Sequence, residues 1–585
     1  MSVRLETVEI RNYKSCKDTK IQLERFTPLI GYNNSGKSNI ISAIQWLLRK
    51  SVLDEESFND MQLPVEVIGR VIGVSVQALS TLTPEQQQKI QPYIDNEALT
   101  LKRVQPCPGG KATDIKLHIL NPANSQWTAN PTGIDNAISS LLPEPIRIGA
   151  MEDAAEDSAK AKNTTTIGKL LSEFIEPVRR AHEADINQHL GQVEKQLSAD
   201  GASRLAEFNT IDQSINHKIN DLFPGIGVKL HFPVPSMEDL IKAGTVKVYE
   251  DAGISRGFSA YGHGAQRAIQ MALVRHLAEV KRGVGQAGGT TLLLIDEPEL
   301  YLHPFAVEHI REALKTLSEN GYQIVASTHS AQMVKAKDAQ HSLLIRKSPA
   351  KGTFARRRLR DAIQIAVPDS THAMEQLFTL GHASQLLFSD KVLLTEGKTE
   401  LRLLPAIFEH INTRTLGQNK IALIAQSGVN DTKKSMQILQ EMDLPSKAIV
   451  DLDYAFKGGH SHGFVPPGNA HVAEIKRILA RLEAAKRITL DQAGLPTKGV
   501  VKASEAYAIL AKELDAAPHI DALHNLLLGQ DIWLWKKGSI EDHLGLQSKD
   551  ERAWAHFQTE LDRVGIQALC PDPQSVVDMV AWVAA

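Results

Sequence analysis

Leu5-Glu6-Thr7-Val8-Glu9-Ile10 alternates apolar and polar side chains, the period of a half-buried strand. Thr27-Pro28-Leu29-Ile30 is a short apolar run that ends at Gly31. From Ser38 to Arg49 the apolar side chains include Ile41, Ile44, Leu47 and Leu48, the spacing of a helix. Short strands are expected at Val65–Ser75, Leu99–Val104 and Ile115–Leu120, between polar turns. From 165 to 222 glycine and proline are few and long helical patterns take over, as in Ile167–Ile175. Strands and helices alternate again over 225–365, and a second strand–helix series starts near Lys391. The break between the two series is expected at 365–388. The polar stretch Lys457–Gly463 interrupts the second series as a flexible, solvated loop, although its His460 and His462 are also possible metal ligands. There is no internal repeat and no low-complexity tract.

A chain of 585 residues is long enough for two to four domains. At 42% hydrophobic and 23% charged it has the balance of a soluble globular protein. No uninterrupted apolar run reaches membrane-spanning length, and the N-terminus enters a strand pattern directly, so no signal peptide is expected. Cys16, Cys107 and Cys570 are too scattered for a disulfide framework or a zinc site. A cytoplasmic location is the expectation. The net charge of -3 does not announce a nucleic-acid binder, so any such contact needs local basic patches. Arg356-Arg357-Arg358-Leu359-Arg360 is one, and it also reads as an ordinary solvated face.

The segment Gly31-Tyr32-Asn33-Asn34-Ser35-Gly36-Lys37-Ser38 matches G-x-x-x-x-G-K-S in full. Its glycines let backbone N–H groups turn inward around phosphates, Lys37 reaches the terminal phosphates and the Ser38 hydroxyl ligates Mg²⁺. Asn33, Asn34, Ser35 and Gly36 complete the cradle, and the following helix aims its positive end at the same anion. Leu292-Leu293-Leu294-Ile295-Asp296-Glu297 is a buried parallel strand with carboxylates at its C-terminal end. Asp296 is expected to hold Mg²⁺, through water, and Glu297 to act as general base on the attacking water. Pro298–Pro304 and the strand Tyr322–Ser330, which carries His329, resemble the D-loop and switch histidine of ABC-type ATPases. Tyr261-Gly262-His263-Gly264-Ala265-Gln266-Arg267 opens a helix as the signature motif of that class does, without its Leu-Ser-Gly-Gly wording. In that class the signature of one subunit completes the ATP site of the other, so the resemblance implies a dimer.

A second cluster follows. Lys391–Thr395 is an apolar strand running into a turn with Glu396 and Gly397, and Glu400 lies one helical turn further on. Ala448-Ile449-Val450-Asp451-Leu452-Asp453 is read as a strand ending in alternating carboxylates, with Asp451 and Asp453 on one face near Glu396. So many acids at one place make sense around cations, and oxygen ligands favour Mg²⁺ or Mn²⁺. Ser427-Gly428 fits a glycine turn between the two motifs. Trp535–Glu541 adds another strand-to-helix turn, with Glu541 as a further metal ligand. Lys536 or Lys537 either stabilises charge on a scissile phosphate or marks a solvated strand end. Two metals about 4 Å apart suit phosphodiester cleavage.

Glu-Gly followed by Asp-x-Asp resembles a Toprim domain. An ABC-type ATPase joined to a Toprim domain resembles, over essentially the whole chain, the OLD (overcoming lysogenization defect) family of nucleases. Arg11-Asn12-Tyr13-Lys14-Ser15, the phosphate loop, Asp296–Pro304 and Glu396–Glu400 are similar to its phage-encoded branch. The resemblance implies an α/β architecture. An ABC-type ATPase spans 1–164 and 225–370, a helical dimerisation arm is inserted at 165–224, and a Toprim domain occupies 388–585. It implies ATP and two Mg²⁺ or Mn²⁺ ions as cofactors, DNA as substrate, a homodimer, no membrane, and a role in phage exclusion or anti-phage defence. An SMC-like repair ATPase without nuclease activity and a topoisomerase-like enzyme remain open, the latter needing a tyrosine nucleophile such as Tyr454.

Overall fold

The computed structural model describes residues 3–129, 134–142, 145–150, 166–242, 246–249, 253, 255–257, 260–281, 290–370, 383–426 and 431–585. Ser427-Gly428 and the middle of 365–388, residues 371–382, lie outside them. The chain divides into two compact units, one holding Met1–Leu29, Gly36–Met333 and Lys347–Phe354, the other Ile30–Ser35, Val334–Arg346 and Ala355–Ala585.

In the first unit, strands Gln126–Ala129, Lys116–Asn121, Ala98–Gln105, Val65–Ile72, Arg4–Tyr13 and Cys16–Gln22 lie side by side in that order, all antiparallel. The alternation at Leu5–Ile10 works as expected: Leu5, Val8 and Ile10 are buried, while the polar positions between them are not. Strands Ile146–Ile148, Thr291–Asp296 and Tyr322–Thr328 are parallel neighbours. Their apolar runs are buried on both faces, as parallel strands covered by helices must be. The helix Lys37–Leu48 packs on Thr291–Asp296 through a face that includes Ile40, Ile41, Ile44 and Leu47.

The region 166–222 holds a 32-residue helix, Thr166–Leu197, and a second helix, Ala206–Leu222. Arg204 ties the turn between them. Its guanidinium pairs with Asp212 at 2.6 Å and donates to the carbonyls of Ser198 and Leu230. Past the second helix, Leu222, Phe223 and Ile226 stand exposed.

The second unit contains a four-stranded parallel sheet in the order Ile421–Ala425, Lys391–Thr395, Ser446–Val450, Ile532–Leu534. Side chains alternate across it. Val392, Leu394, Ala448, Val450, Ile532 and Leu534 point into one core, and Leu393, Ile449 and Trp533 into the other. The second core carries a tryptophan cluster. Trp533 lies 6.2 Å from Trp535 and 5.7 Å from Trp582, and Trp535 packs 4.7 Å from His543. Among the described residues no helix is long and apolar enough to cross a membrane.

Two expectations change here. The arginine run does not form a free basic patch. Arg358 is buried and donates to the His341 carbonyl at 2.9 Å, Arg357 pairs with Glu441, and Arg360 reaches Asp361 and His341. Lys457–Gly463 is solvated at Lys457, His460, Ser461 and Gly463, but it is not all loop. It contains a short helix, Gly458–Ser461, whose two glycines are buried, and His462 Nδ1 meets the Tyr454 hydroxyl at 3.1 Å.

Candidate functional site

The phosphate loop ends at Gly36, which caps the helix Lys37–Leu48 in the left-handed region with φ 99°. Only glycine suits that backbone, and a Cβ there would fall on the Thr353 hydroxyl and crowd that of Ser15. Asn34 is also left-handed, at φ 64°. Ser35 and Lys37 are buried, while Asn33, Asn34 and Ser38 are exposed at the mouth of the helix. A lysine in the first turn of a helix that follows a glycine-bearing loop suits a polyphosphate.

Asp296 closes its strand 2% exposed. It accepts from the Ser327 hydroxyl at 2.9 Å and pairs with Arg147 at 3.5 Å. Glu297 follows in the left-handed region at φ 46°, a conformation that costs a non-glycine residue about 1–3 kcal/mol. Its N–H is held by the carbonyl and the hydroxyl of Ser327, at 3.1 and 3.2 Å. Its carboxylate lies 3.2 Å from His329 Nδ1, so the two residues singled out from separate strands do meet. Glu299 supports them by accepting from Thr328 Oγ1 at 2.6 Å and from the His329 N–H at 3.1 Å. The segment Tyr261–Arg267 opens the helix His263–Lys281.

In the second unit the strand Lys391–Thr395 delivers Glu396, and the helix Lys398–Asn412 presents Glu400 from its first turn. Gly397 leaves room for it, since a Cβ there would stand 3.0 Å from Glu400 Oε2. The strand Ser446–Val450 pairs in parallel with Lys391–Thr395, which brings Asp451 beside Glu396. Asp451 and Asp453 do not share a strand face, however. The strand stops at Val450, Asp451 caps a 3-10 helix, and Asp453 lies inside it, 3.3 Å from the Lys457 ammonium. The strand Ile532–Leu534 leads through Gly538 into the helix Ile540–Leu544, which carries Glu541.

Electrostatics single out this cluster. Burial, with the charges of Asp453 and Glu400, pushes Glu396 up to about 8. Burial pushes Glu400 up to about 7, helped by Glu541. Asp451 is raised well above its ordinary value by burial and then by Glu396 and Glu400. Glu541 goes the other way. Burial raises it, but hydrogen bonds from Thr399, at 2.6 Å, and from Lys549, whose ammonium lies 2.9 Å away, bring it below the ordinary carboxylate range.

Lys549 faces Glu541, Asp451 and Glu400, and Lys457 pairs with Asp453. Lys536 and Lys537 are held elsewhere. Lys536 binds Asp521 at 2.9 Å and Lys537 binds Asp572 at 3.2 Å. Nothing in the local sequence Gln547-Ser548-Lys549-Asp550 marks Lys549, which is why pattern reading passes over it.

The donor set fits a divalent cation. Glu396 Oε1 and Asp451 Oδ1 are buried without a hydrogen-bond partner, and an all-oxygen set suits Mg²⁺ or Mn²⁺. Among the described residues no three acidic or imidazole groups stand close enough to grip an ion as they are. Burial first, and then the neighbouring acids, raises Glu396, Glu400 and Asp451, and a bound cation would offset both penalties.

Known proteins share these features. A family described as the Overcoming lysogenization defect protein-like TOPRIM domain matches residues 387–453, and an AAA ATPase domain matches 4–104 and 110–334. The Old nuclease of Escherichia phage P2 is 39% identical over 594 residues, covering 98% of this chain and 97% of that protein. The OLD nuclease of Thermus scotoductus is 22% identical over 469 residues, covering 77% of this chain and 82% of that protein. The Smc head bound to the C-winged helix domain of ScpA superimposes with a TM-score of 0.38 and 16% identity, over 62% of this chain and 99% of that one. At that score the likeness carries no argument.

Proposed function

The chain belongs to the OLD (overcoming lysogenization defect) family, and on that premise we propose that it hydrolyses ATP at the Gly31–Ser38 loop and cleaves DNA at the buried carboxylate cluster of its second unit. It is an ATPase joined to a Toprim nuclease, and it uses a nucleotide and a divalent metal.

The observation that carries the nuclease assignment is the pair of buried, unpartnered carboxylate oxygens on Glu396 and Asp451, with Glu400, Asp453 and Glu541 around them. Glu396, Glu400, Asp451, Asp453 and Glu541 would hold two Mg²⁺ or Mn²⁺ ions. Bound there, the ions supply an activated water and neutralise the leaving oxygen. Thr399 orients Glu541 through its hydroxyl. Lys549, 2.9 Å from Glu541, would offset the charge of a bound phosphate. Lys37 and Ser38 would hold the terminal phosphates and their Mg²⁺, with Asp296 beside that ion, and Glu297, 3.2 Å from His329 Nδ1, would take the proton of the attacking water.

Exposed Leu222, Phe223 and Ile226 support a homodimer made through the helical arm. Phage exclusion or anti-phage defence is the biological role that fits the family. The topoisomerase reading has no support at Tyr454, whose hydroxyl is engaged with His462 and whose ionisation burial opposes.

Supercoiled plasmid incubated with Mg²⁺ or Mn²⁺, with and without ATP, tests the assignment. Nicks ending in 3′-hydroxyl and 5′-phosphate are expected, together with their loss in Asp451→Ala/Asp453→Ala. Undiminished nicking by that variant, or a covalent protein–DNA adduct, would overturn it.

A further inference from the structure

Arg267 sits in the second turn of the helix His263–Lys281, 3% exposed. Its guanidinium turns back onto the backbone that follows the strand Thr291–Asp296. Nη2 donates to the Asp296 carbonyl at 2.6 Å and to the Glu297 carbonyl at 2.7 Å. Nη1 donates to the Gly149 carbonyl at 2.9 Å, with the Gln270 side chain beside it at 3.4 Å. Ser327 holds the Glu297 N–H from the opposite side. The residue is therefore clasped at both its N–H and its C=O, and between the two clasps its backbone is bent to φ 46°. A carboxylate on such a backbone is aimed by whatever maintains the bend.

We propose that Arg267 is a positioning residue for ATP hydrolysis: by bridging the carbonyls of Asp296 and Glu297 it fixes the strained backbone that points the Glu297 carboxylate at the attacking water. The inference rests on the reading of Glu297 as the base. Burial lowers the Arg267 guanidinium to about 10, and the charges of Glu299, Asp296 and Glu297 act against that, so it stays cationic at neutral pH. A lysine there keeps the charge but cannot bridge these carbonyls with one planar fork. Because Arg267 lies three residues beyond Gly264, the segment resembling an ABC signature is fastened to the base by a single side chain.

The test is a kinetic cycle on the full-length protein with Arg267→Lys, Glu297→Gln and the double variant. Arg267→Lys is expected to lower kcat for ATP on the order of 10- to 100-fold, with KM and the binding of a fluorescent ATP analogue moving less than about threefold. On the Glu297→Gln background the same change should cost little more, since its route to the reaction is already gone. Normal turnover by Arg267→Lys overturns the proposal, and so does a full additional loss in the double variant. Normal turnover by Glu297→Gln instead sinks the base assignment itself. If Arg267→Lys loses its cooperative melt, Gln270→Ala replaces it. That change loosens the guanidinium without removing it and should lower kcat at unchanged KM, and a wild-type kcat would overturn the proposal.

Discussion

The Thr399 hydroxyl donates a 2.6 Å hydrogen bond to Glu541 across a sequence separation of 142 residues. This joins the start of the helix Lys398–Asn412 to the short helix Ile540–Leu544 that follows the strand Ile532–Leu534. The other Glu541 oxygen faces Lys549 at 2.9 Å. One acid thus connects a helix, a turn and the lysine that no motif marks.

Lys549→Ala should therefore depress plasmid nicking at least about tenfold, as removal of one charge-stabilising donor does. Lys536→Ala, which only frees Asp521 at the surface, should change it little. Both should hydrolyse ATP normally. Equal nicking by the two variants would remove Lys549 from the reaction.

The raised carboxylates make the nuclease unit sensitive to pH. A carboxyl lifted from 4.5 to about 8, as in Glu396, favours the protonated form in the fold. Its contribution to stability is complete below pH 4.5 and is lost as pH rises through 8. In EDTA the wild type should melt progressively lower between pH 6 and 8.5, and Glu396→Gln should flatten that decline. Added Mg²⁺ must displace the same protons, so its Tm gain should be larger at pH 8 than at pH 6. Parallel melting curves of wild type and variant in EDTA would refute the assignment of the decline to Glu396.

These acids show how far the sequence could be read. The Glu-Gly turn, the Asp-x-Asp pair and Glu541 were all visible, because short continuous apolar strands end shortly before them. The position of Asp453 was not. Val450 to Asp453 looks like continuing strand, yet the backbone turns into a 3-10 helix at Leu452, whose side chain is wholly buried. Lys549 was invisible because its importance comes from a fold-level approach to Glu541. The arginines at 356–360 misled in the opposite direction, since carbonyls and acids distant in sequence absorb them.

At the nucleotide loop, Lys37→Ala should abolish ATP turnover by removing a terminal-phosphate contact. Glu297→Gln should bind ATP and hydrolyse it slowly. Steady-state phosphate release and nucleotide binding separate the two, and unchanged turnover by Lys37→Ala would reject the site.

Gly36→Ala should be more damaging than its size suggests. The left-handed backbone alone costs an alanine about 1–2 kcal/mol, and its methyl would press on Thr353 and Ser15. Loss of ATP binding with a lowered Tm is expected. Wild-type binding by calorimetry would mean that the loop relaxes without cost.

The tryptophan cluster has a practical consequence. Trp533, Trp535, Trp554 and Trp582, four of the six tryptophans, belong to or pack against one core of the second unit. Trp535 stacks near His543, two residues past Glu541. Most of the tryptophans that give intrinsic fluorescence therefore lie in the nuclease-bearing unit, with Trp46 and Trp127 in the other. Rearrangement at the carboxylates can be followed optically in the unlabelled protein.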